Sequence, residues 1–119
     1  MSESIARIDD PVMAINIAKT YRPGINARDL YNCTRGTWVV SRRRANKAHY
    51  AFAVYRGVIR EVYEVDEWVE AGTTPESYGP SPGRSEFVGR VTEEEVRDKY
   101  VGKRLPKLHG QNPILYFNC

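Results

Sequence analysis

Residues 49–66 read HYAFAVY, then Arg56-Gly57, then VIREVYEVD, and this stretch constrains the fold more than any other. His49 to Tyr55 and Val58 to Asp66 are rich in β-branched and aromatic residues and are separated by two residues, the length of a tight hairpin turn. Apolar side chains occupy both parities of the first run: Tyr50, Phe52 and Val54 on one, Ala51, Ala53 and Tyr55 on the other. A strand that is apolar on both faces must be covered on both, so the hairpin belongs to the middle of a barrel or of a helix-covered sheet.

The remaining elements follow from local signals. Val12 to Ala18 is a short apolar run read as a buried strand. Pro23-Gly24 is turn punctuation. Asn26 is placed to cap a helix, with Asp29 at its third position, Ile25 and Leu30 at staple spacing, and Gly36 as its terminator. Thr37 to Val40 is a strand candidate, and Arg42 to Ala48 forms one or two helical turns. Gly72 to Ser85 is rich in Pro and Gly and reads as a long loop, the kind that is functional or mobile in compact domains. Glu86 to Val91 returns as a strand, and Thr92 with Glu95 forms a capping box for a helix ended by Gly102. Ile114 to Asn118 is the last strand. At 119 residues the chain is too short for two cored domains. Residues 1–11 read as a flexible leader and 12–119 as one α+β domain. Its curved sheet is mostly antiparallel, or closes as a small barrel, with two or three short helices.

Charge is segregated along the chain. Arg35, Arg42, Arg43, Arg44, Lys47, Arg56 and Arg60 occur with no acid between the first and last of them, whereas Glu61 to Glu76 carries acids and no base. Either the two runs create a dipolar surface or they pair across the hairpin and cancel. The net charge of +3 is too small by itself to mark a nucleic-acid protein. Cys33 and Cys119 have no metal-ligand or disulfide spacing, and free thiols fit a reducing cytoplasm. No apolar run is long enough to span a membrane, so no membrane partner is expected.

Candidate chemistry is sparse. Guanidinium groups of Arg42, Arg43 and Arg44, with Arg35 and Lys47, can grip phosphates, and Trp38 and Tyr50 flank the run as stacking surfaces. Trp68 stands at the edge of the long loop, either as one wall of a pocket with Tyr78 as a lid or as a cap on the core. His49 and His109 are far apart in sequence and outside metal spacing. Glu64 and Asp66 share a strand face, which permits a metal or acid/base pair, although solvation is the commoner use. Nucleophile-elbow, dinucleotide and P-loop signatures are missing. Neither a cofactor nor a metal is expected, and a binding role is favoured over an enzyme.

Tyr21-Arg22-Pro23-Gly24, Thr34-Arg35-Gly36 with Trp38, Tyr50 to Tyr55 and Gln111-Asn112-Pro113-Ile114 give the chain a resemblance to a family of small bacterial proteins of uncharacterised function. More loosely, the hairpin is similar to PUA-like domains of the ASCH, EVE and YTH type. That resemblance implies a small barrel that binds RNA or modified bases in an aromatic-lined pocket, with Trp38, Tyr50 and Trp68 as its aromatics. The Pro/Gly-rich loop before Glu86 departs from that pattern. The expectation is thus a cytoplasmic domain that binds RNA or DNA. In it Arg35, Arg42, Arg43, Arg44 and Lys47 position phosphates, and Trp38 and Trp68 contact a base. The alternatives are a protein-interaction domain using the acidic 61–76 segment, or an enzyme with an unrecognised site.

Overall fold

The computed structural model describes residues 4–74 and 81–119. In chain order the elements are β1 (Val12–Asn16), α1 (Ala27–Arg35), α2 (Arg42–Ala45), β2 (Tyr50–Tyr55), β3 (Val58–Glu70), β4 (Ser85–Val91), α3 (Glu94–Tyr100) and β5 (Ile114–Phe117). They form an α+β domain around one five-stranded sheet, ordered β4-β3-β2-β1-β5. Three of the four strand pairs are antiparallel, while β1 and β2 run parallel. Parallel neighbours need a long crossover, and the chain from β1 to β2 supplies it with α1 and α2. The sheet is open, with β4 and β5 as its edges, so the closed-barrel form of the expectation is not what the chain adopts.

Both faces of β2 are buried, as its sequence requires. Ala51 and Ala53 face a core with Met13, Ile15, Tyr63, Trp68 and Phe87, against which α1 packs through Leu30 and Tyr31. The small side chains leave room there for the helical layer. Phe52 and Val54 face the second core, with Val12, Ala14, Ile59, Val62 and Tyr100 of α3. The rings of Phe52 and Tyr100 lie 4.8 Å apart. At the hairpin, Arg56 and Gly57 both take left-handed backbone angles, φ 52 and 77, which the right-handed twist of the flanking strands favours. Register then shifts between Ala53 and Val54, so that Arg60 is the extra residue of a bulge in β3.

Three expectations are corrected. Residues 4–11 do not trail free. Ala6 is buried and its amide donates to the Arg104 carbonyl, while Pro11 accepts from the amides of His49 and Tyr50. Thr37–Val40 forms no strand, since only Trp38 pairs, with Ser85, and Val39 turns into solvent. The capping box at Thr92 is also not formed. Thr92 stays on the sheet through its amide to Val62, and Glu93 becomes the N-cap without a side-chain bond. Within the loop expected at 72–85, residues 75–80, including Tyr78, lie outside the described residues.

Asp10 ties the first segment to α3. Its carboxylate accepts from Tyr100 Oη at 2.6 Å and from Lys99 Nζ at 3.1 Å. The Tyr100 hydroxyl, more than the lysine, holds the Asp10 carboxyl below its usual range. A lowered folded-state pKa adds stability that is full above the unfolded value near 3.8 and fades as pH falls through the folded one. Tyr100→Phe keeps the ring on Phe52 but removes this bond, and should cost about 1.5–3 kcal/mol at pH 7. Urea unfolding at pH 7 and pH 3 checks it, with the gap between native and variant narrowing at the lower pH.

Candidate functional site

A cavity of about 670 Å³ opens on the face that carries α1. One wall is the chain leaving β1, Asn16 to Thr20, where the Asn16 side chain accepts from the Ala18 amide and turns the backbone out of the sheet. A second wall is α1, through Asp29 and Cys33. Asn26 caps that helix as its sequence predicts, accepting from the Asp29 amide at 2.8 Å. Gly36, Thr37, Trp38 and Arg84 form the third side, and Gly110, Gln111 and Pro113 the fourth. Arg84 precedes β4 whereas Asn16 ends β1, and two strands separate these in the sheet. They share a cavity because the chain leaving α1 pairs with the start of β4, Trp38 with Ser85.

A buried ion pair holds the third wall. Arg35 and Glu86 are 4% and 1% exposed, and Arg35 Nη2 lies 2.8 Å from Glu86 Oε2. Arg35 Nε also donates to the Phe87 carbonyl, and Nη2 to Thr74 Oγ1. The other carboxylate oxygen of Glu86 accepts from the Gly72 amide. One cluster thus fastens the end of α1, the start of β4 and the chain leaving β3. Gly36 makes the close approach possible, because a Cβ there would stand 2.8 Å from the Glu86 Cβ. Trp38 follows directly. Its backbone exchanges two hydrogen bonds with Ser85, and its indole Nε1 donates to the Thr34 carbonyl at 2.8 Å.

The cavity is electropositive. Lys19, Arg22 and Arg84 stand at it against one carboxylate, Asp29, which Arg22 approaches at 3.5 Å. That pair is exposed and contributes little to stability. Cations around a half-buried indole suit an anionic ligand with a flat ring.

Of the nucleic-acid-binding residues expected from the sequence, only Trp38 lines this cavity. Arg35 is consumed by Glu86 and is no phosphate contact. Trp68 is 3% exposed and packs on Phe87, so among the described residues it caps the core and is not part of this cavity's wall. Arg42, Arg43 and Arg44 are exposed on α2, which Ser41 caps, and Lys47 follows, also exposed. Arg44 lies over the Tyr116 ring at 4.0 Å. The three aromatics implied by the resemblance do not converge. Tyr50 lines a different cavity of about 360 Å³, together with His49, Glu64 and Asp66. Both of those carboxylates are held by Arg90, at 3.2 and 3.0 Å. His109 is half-buried, its Nε2 bonds the Ala14 carbonyl, and burial pushes its pKa down. Among the described residues no group of side chains could hold a metal ion.

The two charge runs do not cancel each other. Glu61 is held by Arg97, and Glu64 and Asp66 by Arg90, all outside the basic run. Among the described residues, Arg42, Arg43, Lys47, Arg56 and Arg60 have no ion pair. Sequence reasoning missed Lys19, Arg22 and Arg84, single charges far apart in the chain that only the tertiary fold brings together. No helix among the described residues is long and apolar enough to cross a membrane. Comparison with protein-family models, curated proteins and solved structures finds no match for this chain.

Removing one member of the buried pair leaves an uncompensated charge, so Arg35→Met or Glu86→Gln should cost about 3–5 kcal/mol. The double variant Arg35→Met/Glu86→Met should cost less than the sum of the singles. Denaturant titration of the set measures the coupling.

Proposed function

We propose that the protein is a non-enzymatic nucleic-acid-binding domain whose cavity takes one nucleotide. The observation that carries this reading is the meeting of Trp38 with Lys19, Arg22 and Arg84 at one concavity. An indole offers any base a stacking face, and the cations suit the phosphate attached to it. The exposed run Arg42 to Arg44 with Lys47, outside the cavity and unpaired by acids, supplies a sequence-independent grip on the backbone. The similarity to PUA-like modules, cytoplasmic readers of RNA or modified bases, is part of this reading. A partner docking on the acidic 61–76 segment is less favoured, because Glu61, Glu64 and Asp66 already carry arginines.

Fluorescence anisotropy with labelled 12-mers of single-stranded RNA, single-stranded DNA and duplex DNA tests the proposal. The logarithm of affinity should fall against log salt with a slope of about −2 to −4, for three to five phosphate contacts. Trp38→Ala should weaken binding by about 1–3 kcal/mol with the slope kept. Replacing Arg42, Arg43 and Arg44 together by Ala should weaken all sequences alike and flatten the slope. No binding to any of the three probes at low salt overturns the reading.

A further inference from the structure

The β2–β3 hairpin tip carries a second cluster beside the cavity. Tyr21 and Tyr55 stack with ring centroids 4.5 Å apart. Arg60 lies over both rings, 5.7 and 5.6 Å from their centroids, and Arg56 stands 5.3 Å from that of Tyr55. Tyr21 sits between Thr20 and Arg22, both of which line the cavity, so the two features are continuous. Both arginines are exposed, and no acceptor among the described residues takes their side-chain N–H groups. A guanidinium held by its face on an aromatic ring keeps its edge donors aimed at solvent, in the fork that matches a phosphate.

The backbone at these two residues points the same way. Arg56 occupies a left-handed turn position, φ 52, where Asn or Gly is at ease and a residue with a long side chain is not. Arg60 is the bulged residue of β3, and bulges re-aim the side chain they carry. Two local irregularities in one hairpin thus each present an arginine at the same tyrosine. Strain retained at an exposed turn is the mark of a side chain kept for what it contacts.

We infer that the hairpin tip is a phosphate clamp for the strand that enters the cavity, with Arg56 and Arg60 gripping the backbone on the tyrosine platform. This rests on the nucleic-acid reading above and adds a contact point to it. A nucleotide in the cavity leaves its neighbour's phosphate to be held, and the tip is the adjoining surface where unpaired guanidinium groups already stand.

Arg56→Asn and Arg60→Gln, singly and together, are compared with the native chain in binding labelled single-stranded RNA and DNA of 12 nucleotides and a labelled single nucleotide, a nucleoside 5′-monophosphate. The double variant should bind the 12-mer about tenfold more weakly, with a salt slope shallower by about 1.4–1.8, the counterion release of two contacts. Binding of the single nucleotide should stay within about twofold, since it fills the cavity and has no neighbour whose phosphate the tip could hold. Arg56→Asn should at the same time raise the melting temperature by about 2–5 °C, as the turn strain is relieved. A 12-mer affinity and slope equal to the native ones overturn the clamp while the cavity reading stands. So does an Arg56→Asn variant that loses both stability and binding, which makes the arginine structural. If the native chain binds neither the 12-mer nor the single nucleotide, both readings fall.

Discussion

Arg35 and Glu86 meet where water does not reach, and a charge in such a place is tolerated only with its opposite and with hydrogen bonds for its remaining donors. Here the guanidinium is shared among a carboxylate, a hydroxyl and a carbonyl, and the carboxylate also holds a backbone amide. The geometry leaves little choice in where α1 ends relative to β4. Trp38 and Arg84 are the residues just beyond the two ends of this pair. Their place together on one wall of the cavity is inherited from an interaction that neither of them makes.

The charges of the chain fall into two populations with different work. Arg35, Arg90, Arg97 and Lys99 each have a carboxylate within hydrogen-bond reach and knit elements together. Arg42, Arg43, Lys47, Arg56 and Arg60 have none among the described residues and stay on the surface. The modest net charge therefore understates the positive field that the face with the cavity can present, because Glu61, Glu64, Asp66 and Glu86 are held by a separate set of bases.

The hairpin, the cap at Asn26 and the double-sided burial of β2 are legible in the sequence because each depends on residues close together in the chain. The cavity is not, since it depends on where Arg84 and Asn16 come to lie across two intervening strands. For the same reason the site was only partly legible. Trp38 stood out as an aromatic beside a basic run, but Lys19, Arg22 and Arg84 are isolated charges whose meeting is a long-range event. Arg35 was misassigned because a buried and an exposed arginine look alike in sequence. Its partner, Glu86, is fifty-one residues away. Thr92 failed as a cap because β4 and its pairing with β3 extend to the residues just before it, and the ladder won over the local motif.

The pairing of β5 with β1 bears on how the chain is made. β1 carries the run Val12 to Ile15, buried on both faces and free of charge and proline. One of its edges is covered by β2, and the other waits for residues 114–117, which leave the ribosome long after it. Until then the strand offers an apolar, unpaired edge, the kind that templates the addition of another chain. Any lesion that weakens β5, or the Pro113 carbonyl that meets the Asn16 amide, would thus be read in the cell first as loss of soluble protein.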